Sequence, residues 1–337
     1  MTKLRRGQLS TFARLALVGT TVLTAAACAR IEMPAHLKPL SRDTMMQLGA
    51  RKMQSDAPIF IRIFKAESEL EVWKERKDGR FHHFKTYPIC TWSGALGPKM
   101  KQGDKQAPEG FYKVNRHLMN PNSKFHLAFN LGYPNAFDRA NKRTGDFLMV
   151  HGDCTSAGCY AMTDPLIEEI YALAREAFIG GQSAFWVHAF PFRMTPQNMA
   201  RHAKSTHMPF WTTLKQGYDH FEATRVPPPI AVCERKYVVN AIAPKGRKLR
   251  PNGRCPRTFE RPEVAPFVVN DPPTDSDRLV VDGVKRRQAM LSLSTATRSG
   301  LTKPGTMFTP WPRLSFGSGK APTKTLEAGA LFDSMRR

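Results

Sequence analysis

Asp78-Gly79 falls between the runs Glu69 to Arg76 and Arg80 to Ile89, and such a dipeptide supplies the backbone freedom that a two-residue hairpin needs. The chain is thereby committed to antiparallel β structure in its first third. Ile59-Phe60-Ile61-Arg62-Ile63-Phe64 alternates apolar and β-branched residues and predicts a third strand just before the hairpin. Further strands are expected at Gly110 to Arg116, Lys124 to Leu131 and Asp146 to His151, with a buried strand at Phe185 to Phe190 that carries His188 as a structural residue. A helix is expected from Asp164, with Pro165 in its first turn, to Phe178 before Gly180-Gly181. Leu166, Ile170, Leu173 and Ala177 would form its packing stripe. Thr195-Pro196 opens another helix. The elements together describe an α+β fold rich in β.

His151 would stand at the end of a strand, and the segment Gly152-Asp153-Cys154-Thr155-Ser156-Ala157-Gly158-Cys159 follows it as a loop of small residues. A cysteine attacks carbonyls as the thiolate, so it needs a base to take its proton and later return it to a leaving group. Cys159 is the candidate nucleophile and His151 the candidate base. Gly152 and Gly158 would let the backbone bend and present N–H groups to an oxyanion. Ser156 would order the loop by hydrogen bonding, and Tyr160 would wall the cleft. Other readings of these residues are a buried inert thiol and a core histidine. A zinc site on His151, Cys154 and Cys159 lacks a fourth ligand and any Cys-x-x-Cys pair. Cys154 reads as a loop packing residue, or as a thiol able to bond reversibly to Cys159. Arg139 and Arg143, with Lys142 in the loop from Tyr133 to Gly145, are either a solvated charge run or carboxylate-binding residues.

The stretch from Val150 to Met162 resembles the active-site signature of L,D-transpeptidases of the YkuD type, and more closely that of the YafK-like branch. Similar blocks extend from about Ile59 to Val239, among them Gly94-Ala95-Leu96-Gly97-Pro98-Lys99, Ala107-Pro108-Glu109-Gly110-Phe111-Tyr112 and Phe190-Pro191-Phe192-Arg193-Met194-Thr195. The resemblance implies a twisted β sandwich with packed helices. It also implies Cys159 as nucleophile, His151 as proton donor and acceptor, and the Gly152 backbone carbonyl as the group that orients His151. The implied activity is peptidoglycan modification, serving cell wall organization and cell shape, through a thioester at the L-centre of the third stem residue. No metal or organic cofactor is implied. The common signature has a second histidine where this chain has Ala157, and an aliphatic-arginine pair where it has Tyr160-Ala161. The acceptor is therefore open between an amine and water, the latter giving a peptidase or amidase that releases wall-attached protein. The expectation from another class is a non-catalytic wall-binding protein. An activated Cys159 would alkylate near or below neutral pH.

The N-terminus places Lys3, Arg5, Arg6 and Arg14 ahead of or within an apolar, small-residue run to Ala27. That pattern is a secretory or lipoprotein signal over residues 1–29, with Cys28 open to lipidation, and it implies a periplasmic location. Residues 30–57 form an N-terminal extension, with Met45, Met46 and Leu48 able to pack. Residues 58–240 form the catalytic domain and 241–337 a basic, disordered tail holding 18 Lys or Arg against 8 Asp or Glu. The net charge of +23 favours polyanions. Export and the lack of a nucleic-acid module argue against nucleic acid. The expected partners are peptidoglycan stem peptides, a wall-attached lipoprotein, and an anionic membrane surface reached by the tail. With six cysteines and Cys28 in the signal, an odd number remains, so at least one free thiol is expected. The chain is too sparse in cysteine to depend on a disulfide framework.

Overall fold

A computed structural model describes residues 33–268. In chain order they form α1 (Arg42–Ala50), β1 (Ile59–Phe64), β2 (Glu69–Glu75), β3 (Phe81–Pro88), β4 (Thr91–Trp92), β5 (Gly110–Asn115), β6 (Met119–Asn120), β7 (Ala128–Asn130), α2 (Ala136–Ala140), β8 (Met149–His151) and β9 (Tyr160–Ala161). α3 (Asp164–Ile179), β10 (Ala184–Phe190), α4 (Pro196–Arg201), α5 (Met208–Thr224), β11 (Ile230–Cys233) and β12 (Lys236–Val239) follow.

Strand β1 is buried along its whole length because both of its faces are covered. It lies at the centre of a five-stranded sheet of order β3-β2-β1-β10-β5, antiparallel to β2 and parallel to β10. Alternation sends Ile59, Ile61 and Ile63 into the main core and Phe60, Arg62 and Phe64 to the other face. There α5 covers them: Phe60 packs on Phe221, and Phe64 on Tyr218, beside Trp211 and Leu214. Arg62 is tolerated in this layer because its guanidinium bonds Glu71 at 2.7 Å and Glu222 at 2.6 Å, where an unpaired buried charge would be strongly destabilising.

The second sheet, of order β4-β9-β8-β7-β6, pairs β8 and β9 in parallel and its other neighbours antiparallel. Phe129, Val150 and Tyr160 from this sheet share one core with Ile61, Val72, Tyr112 and Val187 from the first, and with Ile170, Leu173 and Ala177 of α3. The architecture is a β-rich α+β sandwich with packed helices. α3 stops at Gly180, where a Cβ would stand 2.0 Å from the Asp56 carbonyl. Thr195 caps α4 by accepting from the Asn198 amide.

Several expectations need correction. Leu48 is buried as expected, but Met45 and Met46 are exposed; α1 is held instead by polar contacts, such as that from the Thr44 hydroxyl to Glu169. The strand expected at Lys124 to Leu131 begins only at Ala128, because His126 sits at φ +64°. The strand expected from Asp146 begins at Met149, because Phe147 sits at φ +52°. α5 is an addition to the expected elements. The tail does not begin at 241. Cys233 is bonded to Cys255, Ile242 pairs with Glu260, and the Phe267 amide donates to the Ala223 carbonyl, so residues 241–268 belong to the folded body. The signal over 1–29, Cys28 and the remaining tail lie outside the described residues.

Candidate active site

The register of β8 and β9 sets Val150 beside Tyr160 and His151 beside Ala161. Residues opposite one another in a sheet share a face, and successive residues alternate. Val150 and Tyr160 point into the core, so His151 projects from the other face, and Cys159 is the last loop residue before β9. The site is built by the loop of residues 152–159 that joins these two neighbouring strands.

His151 is 2 % exposed. Its ring packs on Phe125 with centroids 4.8 Å apart, and its Nδ1 lies 2.6 Å from the Gly152 carbonyl oxygen. A carbonyl can only accept, so Nδ1 carries the hydrogen and Nε2 is left with a lone pair. Burial lowers the pKa of this imidazole, against the opposing pull of the Gly152 carbonyl and of Asp153. The Cys159 thiol is half-buried and free. Its sulfur accepts from the Met149 amide at 3.4 Å and faces the Phe147 carbonyl at 3.6 Å. Burial pushes its pKa up, opposed by the Met149 N–H and the Lys99 ammonium. The resting pair is thus neutral thiol and neutral imidazole. Burial thus works against the expected alkylation near or below neutral pH, while the Met149 N–H and the Lys99 charge work for it.

Ser156 orders the loop. Its hydroxyl donates to the Cys159 carbonyl at 2.8 Å, meets Ser93 Oγ at 3.2 Å and receives a long contact of 3.4 Å from the Gly158 amide. Gly158 sits at φ +126°, a conformation that strains any residue with a Cβ. Gly152 is required for space, since a Cβ there would lie 2.4 Å from Asp164 Oδ1. Its N–H is taken by the Phe125 and Leu127 carbonyls and so is not an oxyanion donor. Asp153 and Cys154 both have positive φ. They are held by the bond from the Asp153 amide to Asp164 and by a disulfide from Cys154 to Cys90.

That disulfide overturns the reading of Cys154 as a packing residue or a partner of Cys159. It also removes Cys154 from any ligand set with His151 and Cys159. Tyr160 is no cleft wall: it is fully buried, and its hydroxyl donates to the Pro108 carbonyl at 2.6 Å. Arg143 is not available to substrate. It is buried, bonded to Asp138 at 3.0 Å and stacked on Phe137 and Phe210. Arg139 is exposed, with a bond from Nη1 to the Pro134 carbonyl. His188 is fully buried among Phe60, Phe111 and Phe190, a core residue as expected. Sequence reasoning missed Lys99, Ser93 and Phe147 around the thiol. Lys99 lies in one of the quoted blocks without a role, and nothing in the local pattern marks Phe147.

The family model for the L,D-transpeptidase catalytic domain, YkuD, matches residues 58–208. A protein of Escherichia coli K12 named "Putative L,D-transpeptidase YafK" is 44% identical over 202 residues, which are 60% of this chain and 79% of that protein. The same-named protein of Escherichia coli O157:H7 matches to the same extent. Among solved structures, the helical cell shape determining protein Pgp2 of Campylobacter jejuni is 16% identical with a TM-score of 0.32, over 58% of this chain and 80% of that one. Bd1075 of Bdellovibrio bacteriovorus is 20% identical with a TM-score of 0.29, over 56% and 67%.

Proposed function

This chain belongs to the L,D-transpeptidase family, and on that premise we propose that it is an exported cysteine acyltransferase acting on peptidoglycan stem peptides in the periplasm. The observation that carries the reading is the free thiol of Cys159 at the end of the loop that follows His151, whose Nδ1–H is engaged by Gly152 so that Nε2 can accept a proton.

In the proposed reaction the Cys159 S–H bond breaks, its proton passes to Nε2 of His151, and the sulfur forms a bond to the amide carbonyl carbon at the L-centre of the third stem residue. The backbone N–H groups of Cys159 and of Gly158, whose contact with Ser156 is long, hold the oxyanion. The tetrahedral species collapses by breaking the C–N bond, and the amine leaves with the proton from His151. An amine or water then attacks the thioester carbonyl and gives its proton to His151, the C–S bond breaks, and His151 returns that proton to the sulfur to restore the thiol. Because both resting groups are neutral, proton transfer accompanies attack rather than preceding it. An amine acceptor yields a transpeptide; water yields a trimmed stem or a released wall-attached protein. The departure at Ala157 favours a larger share of hydrolysis.

The test is incubation of the wild type and Cys159→Ala with tetrapeptide and protein-linked muropeptides, read by mass spectrometry. A thioester adduct on the wild type alone, followed by dimers, free stems or released protein, supports the reading. Turnover retained in Cys159→Ala removes it.

A further inference from the structure

Lys99 is 5 % exposed, an uncommon place for an ammonium. Its Nζ donates to Asp104 Oδ1 at 2.5 Å and to the Lys101 carbonyl at 3.1 Å. Asp104 is itself saturated: the Met100 and Lys101 amides donate to Oδ2, and the Gln106 amide to Oδ1. Burial would raise the Asp104 pKa, yet these donors hold it at about 2. The turn of residues 99–106 is therefore assembled around a fixed cation.

That turn is fastened to the segment that holds the nucleophile. The Thr144 amide donates to the Met100 carbonyl, and the Gln102 amide to Thr144 Oγ1. Tyr133 Oη contacts both the Lys99 and Thr144 carbonyls. Gly145 lies so close to the lysine stem that a Cβ would fall 2.7 Å from Lys99 Cε. The same segment continues to Phe147 and Met149, whose carbonyl and amide flank Cys159 Sγ. One short run of backbone thus touches Lys99 at one end and the sulfur at the other.

We propose that Lys99 is a positioning residue of this site, a buried cation anchored by Asp104 that stabilises the negative charge formed on Cys159 Sγ as His151 removes its proton. The proposal rests on the acyl-transfer reading above for its purpose. The groups that bear on the sulfur are Lys99 from the turn, the Met149 N–H and Phe147 carbonyl from the segment leading into β8, and the buried Tyr160 phenol, with His151 as the proposed base. Of these Lys99 is the one with a permanent charge, and its field opposes the burial that raises the thiol. In water such a charge would be screened; in this half-buried setting it acts with a lower effective dielectric.

The experiment is alkylation of the full chain with iodoacetamide across pH, following the Cys159 peptide by mass spectrometry in wild type, Lys99→Met, Lys99→Arg and Asp104→Asn. Lys99→Met is expected to move the alkylation midpoint upward by about half to one pH unit, which is about three- to tenfold in rate at a fixed pH below it. Lys99→Arg should return most of that shift, which a purely structural role would not predict. Asp104→Asn, with the lysine charge less compensated, should move the midpoint downward. An unchanged midpoint in folded Lys99→Met overturns the proposal. Should that variant fail to fold, an unchanged or raised midpoint in Asp104→Asn overturns it. No substrate enters the assay, so absence of turnover by the wild type would sink the acyl-transfer reading while leaving this result to stand.

Discussion

His151 donates its Nδ1 hydrogen to the carbonyl oxygen of Gly152 across 2.6 Å, a bond between adjacent residues that selects the tautomer with a basic Nε2. His151→Gln keeps polarity but cannot carry a proton between nucleophile and leaving group. It should lower kcat/KM on tetrapeptide muropeptides by about 10²- to 10⁴-fold. Burial lowers the imidazole pKa, so the neutral base persists below its ordinary value of 6.5, and the acid limb of kcat/KM should lie below that pH. A limb above it, or wild-type turnover in His151→Gln, would remove His151 as the base.

The Cys90–Cys154 disulfide spans 64 residues and pins the loop between His151 and Cys159 to the residue just before β4. Cys90→Ala/Cys154→Ala should lower unfolding stability by about 2–4 kcal/mol and reduce turnover, with Cys159 still present. Denaturant unfolding and muropeptide assays check both effects. Equal stability with and without a reductant in the wild type would show that the bond contributes nothing.

Arg143 neutralises Asp138, which is fully buried. Arg143→Ala leaves that carboxylate without its counter-ion and should cost about 3–5 kcal/mol, while KM for muropeptides stays unchanged in whatever fraction remains folded. Arg139→Ala should do the reverse if Arg139 binds a stem carboxylate, raising KM and sparing Tm. A rise in KM confined to Arg143→Ala would restore it as a binding residue.

His188 is buried in an aromatic layer, and burial together with nearby Arg62 and His220 lowers its pKa well below 6.5. Both ring nitrogens lack a hydrogen-bond partner. The unfolded chain therefore binds a proton near pH 6.5 that the folded chain refuses. Stability is full above that pH and falls as pH drops below it, by about 1.4 kcal/mol per unit. His188→Phe should flatten this part of the Tm-against-pH curve, and an unaltered slope would mean that other groups set it.

The parts of this molecule that are legible in sequence are those fixed by neighbours along the chain. β1 matches the expected bounds, Ile59 to Phe64, and β2 and β3 match within a residue or so at each end, because alternation and the Asp78-Gly79 turn are local signals. α3 is legible from Pro165 and its apolar stripe. The role of Cys154 is not, because spacing does not reveal which cysteine meets which; only the fold brings its Cα within 5.4 Å of that of Cys90. Tyr160 escapes the same way, since a two-residue strand is too short to show which face is inward. Arg143 reads as a surface charge, since nothing nearby in sequence discloses that Phe210 and Phe137 enclose it. The folded boundary falls later than composition suggests because residues 241–268 are held by a disulfide and scattered backbone bonds rather than by a periodic pattern.

The position of β1 has a consequence for how the chain comes to be folded. Ile61 pairs with Val72 on one side but with Val187 on the other, and α5, which covers the second face, ends only at Thr224. During synthesis from the N-terminus, the strand Ile-Phe-Ile-Arg-Ile-Phe is complete long before β10 or α5 exists. Until then it offers one open edge and two apolar faces, the features that promote association between incomplete chains. Pairings so distant in sequence are also slow to form. This order of events favours a chain that is kept from collapsing until it is nearly whole, and it makes any fragment ending before Phe190 a candidate for aggregation rather than for a smaller folded unit.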